Sequence, residues 1–69
     1  MEKNKSYRII KVDIEDERLK HRLFSLGISE GKEIIYKGQA SEGVEMIKVM
    51  DFVIALSTYV TDRIEVEEI

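Results

Sequence analysis

The sequence predicts a small all-β barrel of five strands, with one short α-helix between the first and second strands. Apolar and polar residues alternate through most of the chain, which is typical of strands that bury one face. Near residues 15–26 the apolar residues change to helical spacing, and alternation then returns. A barrel is the arrangement of five short strands that leaves the fewest unpaired edges.

The chain is short and contains no cysteine. We expect residues 1–69 to form a single domain in which residues 1–5 are loose. A domain of this size buries only about 60% of the surface that its unfolded chain exposes, which leaves little core for a deep catalytic pocket. Without cysteine, neither a disulfide framework nor a thiolate zinc site can stabilise the fold. We therefore expect the apolar core to hold the structure alone.

Charge and hydropathy argue against two classes of interaction. Eleven basic and 14 acidic residues give a net charge of -3, whereas proteins that bind nucleic acid usually present a basic surface to the phosphates. The longest apolar run, Phe52–Leu56, is far too short to span a bilayer, and the N-terminus has no apolar segment of signal-peptide length. These features predict a cytoplasmic protein that neither binds nucleic acid nor inserts into a membrane.

A change of period marks the end of the first strand and the start of the helix. In the first strand, Ile10, Val12 and Ile14 fall on one side. Asp13 is expected to cap the helix, because a carboxylate at that position can accept hydrogen bonds from the first free N–H groups. The helix itself is predicted near residues 15–26.

The helix is expected to bury leucines and to end at a glycine. Leu19, Leu23 and Leu26 recur at i, i+4 and i+7, which places them in one apolar stripe facing the core. Gly27 is expected to take the left-handed conformation of a Schellman turn, which would fold Ile28 back onto Leu23.

Turns and alternation define the remaining strands. Gly31 is expected in a turn over Ser29–Lys32, and a second tight turn is expected near Met50–Asp51. Residues 39–44 are predicted as a loop and residues 57–62 as a short turn before the last strand. The buried positions of these four strands follow by alternation: Ile34 and Tyr36; Ile47 and Val49; Phe52, Ile54 and Leu56; Ile64 and Val66.

No catalytic group of residues is recognisable. There is no phosphate-binding loop and no nucleophile motif, and a single histidine gives no support for a catalytic triad. His21 follows Glu17 by four residues, but one histidine and one carboxylate are too few for a tight metal site. The acidic clusters at residues 15–17 and 65–68 are interpreted as solvated surface, with weak attraction for divalent cations as the alternative. We predict no enzyme activity, no cofactor, and no tight ferrous or zinc site.

Apolar residues outside the core pattern suggest a contact surface. Phe24 lies opposite the leucine stripe, and Tyr59 lies in the turn before the last strand. We hypothesise that a partner binds a surface that includes Phe24 and Tyr59, with His21 at its rim, through apolar contact rather than charge. The alternative is that both rings pack under the N-terminal segment or the loop at residues 39–44. Further apolar residues outside the pattern are Ile35, Met46, Met50 and Val53.

Three segments together resemble the FeoA family. Residues 22–34 are similar to the family signature R-L-x-x-L-G-I-x-x-G-x-x-I, in which the matching structural positions include Leu23, Leu26, Gly27, Ile28 and Gly31. Downstream segments resemble the family's I-A-L-R and I-x-V-E motifs at suitable spacing: Ile54-Ala55-Leu56 and Ile64-Glu65-Val66-Glu67. Together they cover nearly the whole chain from Tyr7.

The resemblance implies an SH3-like barrel that acts in bacterial ferrous iron uptake. Its implied partner is the FeoB-type membrane transporter, whose own parts supply GTP hydrolysis and the iron path, so this chain would bind and modulate it without catalysis. The alternative is a regulatory module, because similar SH3-like domains occur in iron-responsive repressors related to the diphtheria toxin repressor. No helix-turn-helix precedes the barrel in a chain that begins at Met1, so the stand-alone protein is expected.

Overall fold

The computed structural model describes all 69 residues. In chain order its elements are β1 (Ser6–Val12), α1 (Glu17–Ser25), β2 (Glu33–Ser41), β3 (Val44–Val49), β4 (Phe52–Ser57), α2 (Thr58–Thr61) and β5 (Ile64–Glu68). The five strands form one antiparallel sheet in the order β4-β3-β2-β1-β5. The predicted all-β domain, with five strands and a helix between the first two, is therefore confirmed.

The prediction of a closed barrel is wrong, because β4 and β5 are the two edges of the sheet and do not pair with each other. The residues between them were expected to form a short turn, yet they contain the one-turn helix α2. Its first free N–H groups are capped by Ser57, whose side chain accepts a hydrogen bond from Val60 N–H at 3.4 Å. The helix packs on β3 and β4, and the chain then crosses to the far edge, where β5 pairs with β1.

One apolar core connects all seven elements. It contains twelve buried side chains: Tyr7, Ile9, Val12, Ile14, Leu23, Ile28, Ile34, Ile47, Val49, Leu56, Val60 and Ile64. Each strand and each helix contributes at least one of them. Removal of any element would therefore expose core surface to water, at a cost proportional to the apolar area exposed.

The inward residues of β1 differ from the predicted set because the strand is irregular. Its pairing with β5 shifts by one residue between Ile9 and Lys11, as a β-bulge does. Ile9 is consequently buried, whereas Ile10 is 49% exposed, so the prediction that Ile10 faces the core is wrong. Val12 and Ile14 are buried as expected.

Helix α1 begins later than predicted, and Asp16 rather than Asp13 caps it. The Asp16 carboxylate accepts hydrogen bonds from the N–H groups of Arg18 at 3.0 Å and Leu19 at 3.2 Å. Asp13 cannot take this role because it still belongs to the extended chain, where its N–H donates to the Arg63 carbonyl at 2.8 Å. The pairing of β1 with the chain near β5 thus delays the helix by one turn.

The end of α1 is the Schellman turn that the sequence predicts. Ile28 N–H donates to the Leu23 carbonyl at 2.9 Å, and Gly27 N–H donates to the Phe24 carbonyl at 3.0 Å. Gly27 has a φ of 91°, a left-handed conformation that side chains disfavour. Leu23 and Ile28 are buried, but Leu26 is exposed, contrary to prediction, because the helix ends at Ser25 and Leu26 occupies its C-cap.

The turn that follows α1 is also confirmed. Lys32 N–H donates to the Ser29 carbonyl at 3.1 Å, and Gly31 N–H donates to the Ile9 carbonyl at 2.8 Å. The chain between the helix and β2 is therefore held against β1.

The middle strands form two hairpins. Residues 39–44 are not the predicted loop, because β2 continues to Ser41 and only two residues separate it from β3. Two register shifts, between Tyr36 and Gly38 and between Gln39 and Ser41, let this longer pairing bend. The turn at Met50–Asp51 is confirmed by the pairing of Val49 with Phe52.

Phe52 departs from its predicted place in the core. It shares a row of the sheet with Ile34 and Val49, which are buried, but Phe52 is 67% exposed. The reason is strand order, since β4 is an edge and no further strand covers this side chain. Further along β4, Leu56 is buried and Ala55 faces solvent.

Candidate partner-binding site

An open groove lies beside Phe24, between α1, the end of β1 and the turn after the helix. It has a volume of about 290 Å³. Its lining combines two buried core residues, one exposed aromatic and three polar residues: Val12 and Ile28; Phe24; Lys20, Ser29 and Glu30. The groove can therefore accept an apolar side chain between a cation and a carboxylate.

Phe24 is held at this groove by the geometry of the helix end. Successive helical residues point about 100° apart, so Leu23 is only 2% exposed while Phe24 is 66% exposed. In the Schellman turn the Leu23 carbonyl accepts from the N–H of Ile28, which lies in the groove floor, and the Phe24 carbonyl accepts from the N–H of Gly27. The aromatic wall and the apolar floor belong to one hydrogen-bonded turn, so the groove is formed before any partner arrives.

Tyr59 lies on α2 and is exposed, but it is not isolated. The Arg63 guanidinium lies over its ring at 3.8 Å from the ring centre, a cation–π contact, and also donates to the Tyr59 carbonyl at 2.9 Å. The ring borders a depression formed with the chain that precedes α1, which includes Ile14 and Asp16. Tyr59 therefore presents a ring whose orientation is fixed by an arginine.

His21 is exposed on the polar side of α1, in a shallow depression lined entirely by that helix. Glu17 and Arg18 precede it, and Arg22 and Ser25 follow it. No group of three or more His, Cys, Asp or Glu side chains in the structure is placed to hold a metal ion.

The three predicted partner-binding residues line three different depressions with no lining residue in common. Helix α1 or its cap contributes to every one of them, through Lys20 and Phe24 in one, His21 in the second and Asp16 in the third. The three depressions therefore surround α1, but the three residues, two on α1 and one on α2, are not gathered in one pocket. Their role in binding stays a prediction.

A polar cluster between the sheet and α2 was missed by sequence reasoning. Glu45 is half-buried and accepts hydrogen bonds from the Tyr36 hydroxyl, at 2.7 Å, and from the hydroxyl of buried Thr61. The hydrogen bond from Thr61, followed by that from Tyr36, lowers the pKa of Glu45. The pKa of Tyr36 is raised, mainly because its hydroxyl donates to Glu45 and to a smaller extent because the group is partly buried.

This cluster joins three elements, because Tyr36, Glu45 and Thr61 come from β2, β3 and α2. A signal was available in the sequence, since Glu45 alternates in step with Ile47 and Val49 and so shares their inward side of β3. Its hydrogen bonds fix α2 against the sheet.

The fold and the site together define a small all-β domain whose candidate functional surface is a groove for protein contact. No helix in it combines the length and apolar character needed to cross a membrane.

A family model described as the FeoA domain matches residues 1–68, and the chain belongs to the FeoA family. This is a family of small accessory domains rather than a known class of enzymes, and membership supports a role associated with ferrous iron transport. Among curated proteins, none is similar enough in sequence to count as a match.

The fold is similar to a solution NMR structure of an FeoA-like protein from Clostridium acetobutylicum. The TM-score is 0.80 at 19% sequence identity, and the similarity covers 99% of this chain and 79% of that one. At this level of identity the likeness concerns the fold.

Proposed function

We propose that this protein is a non-catalytic, cytoplasmic accessory protein of bacterial ferrous iron uptake that binds and modulates a FeoB-type GTP-hydrolysing transporter. Family membership supports the connection with ferrous iron transport. The observation that carries the binding role is the exposure of Phe24, 66%, beside a groove floored by Val12 and Ile28. An aromatic wall over an apolar floor is typical of the anchoring part of a protein interface.

The proposal includes an SH3-like architecture in which the last side of the barrel is left open. Two observations support it: the strand order β4-β3-β2-β1-β5 and the one-turn helix that joins the two edge strands. In this arrangement α1 lies in the long connection between β1 and β2, where its outer side is free for a partner.

The partner lies along α1 in this proposal. Its apolar anchor enters the groove at Phe24, while neighbouring parts contact His21 and the Tyr59 ring. Lys20 and Glu30 at the groove offer one charge of each sign, so they orient the partner and contribute less to affinity than the apolar contact does.

Affinity capture from an extract of the native cells tests this role. The immobilised wild-type chain is expected to recover the transporter, and Phe24→Ala is expected to lose it with unchanged free energy of unfolding. Ile69→Ala is the matched control, because Ile69 is another exposed apolar residue and lies outside all three depressions.

Two results would contradict the proposal. If Phe24→Ala captures the transporter as well as the wild type does, the groove is not the anchor. If DNA or a repressor is recovered in place of a transporter, the protein belongs to the regulatory class instead.

A further inference from the structure

The two edges of the sheet differ in how they are protected from pairing with another strand. Exposed edges usually carry charges, proline or bulges that prevent such pairing. The β5 edge has three glutamates in five residues, and its pairing with β1 is irregular. The β4 edge, F-V-I-A-L-S, has no charge and no proline, and its register with β3 is unbroken from Val44–Ser57 to Val49–Phe52.

The backbone of β4 has unpaired groups pointing outward. The two-residue turn at Met50–Asp51 makes Val49 and Phe52 a hydrogen-bonded pair, so Phe52, Ile54 and Leu56 direct their N–H and C=O groups toward β3. The intervening Val53 and Ala55 must direct theirs away from it. No loop or helix donates to or accepts from either residue.

The side chains of β4 are also uncovered at this edge. Val53 is 50% exposed, and Phe52 is exposed although it lies in the row of buried Ile34 and Val49. Both would lose contact with water if another strand were added beside β4. Backbone and side chains thus favour the same event, the addition of one strand.

We propose that this strand is β4 of a second copy of the chain, paired antiparallel about a two-fold axis at Ile54. The outward groups require that outward residues pair with outward residues, and an axis at Ile54 uses both of them: Val53 lies opposite Ala55 of the second copy, and Phe52 lies opposite its Leu56. Each Val53–Ala55 pair exchanges two bonds, so about four backbone hydrogen bonds join the copies. Phe52 of each copy then packs beside Leu56 of the other copy and loses its contact with water.

The charge pattern and the matched length of the two strands fit a second copy as the occupant. Each chain carries a net charge of -3, and β4 is the edge strand at which two copies can meet without opposed carboxylates. The β4 strand is the uncharged edge, and in this register Asp51 lies opposite Ser57 of the second copy. Val53 pairs with Lys48 within its own sheet, and in the dimer it lies opposite Ala55 of the second copy, which pairs with Met46 of that copy. Lys48 is therefore the only charged residue in this row of the combined sheet. No like charges face each other, whereas β5 edges would oppose glutamates.

The proposed dimer is independent of the transporter role. None of the residues that line the Phe24 groove belongs to β4. A dimer would therefore carry two free grooves, and either proposal can fail without the other.

Disulfide trapping tests the register directly, because the chain contains no cysteine of its own. Antiparallel residues on the axis in a non-hydrogen-bonded pair have Cα atoms about 4.5 Å apart, within disulfide range. Ile54→Cys is therefore expected to form a disulfide-linked dimer under mild oxidation. Val53→Cys is the matched control, because its counterpart in this register is Ala55 and it should cross-link poorly. Equal cross-linking of the two variants would overturn the register.

Sedimentation equilibrium and amide exchange test the association itself. The wild-type chain is expected to dimerise reversibly, with the amides of Val53 and Ala55 becoming protected as concentration rises. Val53→Lys is expected to abolish the dimer with an unchanged circular dichroism spectrum, because the position is half-exposed in the single copy. Glu65→Lys, which also introduces a lysine but on the β5 edge, should leave the dimer intact. A chain that stays monomeric at millimolar concentration, or a dimer unaffected by Val53→Lys, would refute the proposal.

Discussion

Leu23 and Phe24 are neighbours in the sequence but point about 100° apart from α1, one into the core and one toward solvent. Leu23 is 2% exposed and contacts the core, whereas Phe24 is 66% exposed at the groove. Both residues are large and apolar, so burial rather than residue type decides what each contributes. This short helix therefore contributes to folding through its buried residues and leaves its exposed residues available for a partner.

The largest expected effect is on the buried side. Leu23→Ala removes a fully buried side chain and should lower the free energy of unfolding by about 2–5 kcal/mol, while Phe24→Ala should change it by less than about 0.5 kcal/mol. Urea denaturation of the two variants measures both. Similar losses would show that the Phe24 ring packs as part of the core.

A smaller but clear effect is expected at the helix end. A Cβ atom at Gly27 would lie 2.8 Å from Val49 Cγ1 and 3.2 Å from Met50 Cε, in a left-handed backbone conformation. Gly27→Ala should therefore cost about 1–3 kcal/mol of unfolding free energy.

Ser25→Ala is the control for the helix end. The Ser25 hydroxyl only donates to the His21 carbonyl at 3.0 Å on the exposed surface, so its loss should cost little. Equal stability of the two variants in denaturant melts would mean that the turn does not depend on glycine.

A pH-dependent effect is expected at Glu45, where a carboxylate faces inward. Hydrogen bonds from Thr61 and Tyr36 lower its pKa from the ordinary value of 4.5. Because the folded pKa is the lower one, this stabilisation is present above the unfolded pKa and is lost as pH falls through the folded pKa. Glu45→Gln should flatten the acid limb of the curve of unfolding free energy against pH.

Glu42→Gln is the control for that experiment, because Glu42 is exposed and accepts no side-chain hydrogen bond. It should leave the acid limb steep. A curve that is the same for Glu45→Gln and the wild type would show that the cluster does not stabilise the ionised carboxylate.

The smallest expected effect concerns metal at the exposed side of α1. We predict no tight binding of ferrous ion, because His21 and nearby acids provide no third strong ligand. Anaerobic calorimetric titration with ferrous ion measures this. Stoichiometric binding at low micromolar concentration, abolished in His21→Ala, would contradict it.

Several local features of the sequence were predictable, although Leu26 and the hairpin at residues 39–44 were not, and features that depend on distant pairing were missed. The turn at Gly27 and the outward Phe24 follow from residues within one helix. Ile10 was misplaced because the bulge arises where β1 pairs with β5, far along the chain. Asp13 was misassigned for the same reason, since its N–H bonds to Arg63.

Strand order set a second limit on prediction. Alternation correctly gives Phe52 an inward direction, but only the sheet order shows that β4 is an edge and leaves the ring uncovered. The groove was equally inaccessible from sequence, because Val12 and Ile28 meet only when β1 packs beside the helix end. The sequence therefore predicts which side of a regular strand each side chain faces, but not which distant residues pack against that side chain.

Site-directed photo-crosslinking in living cells tests most directly whether the exposed side of α1 is the partner surface. Benzoylphenylalanine replaces Phe24 in one variant and Phe52 in another, and the cross-linked proteins are identified by mass spectrometry. We predict transporter peptides from position 24 and a second copy of this chain from position 52. Transporter peptides from position 52 with none from position 24 would contradict this prediction.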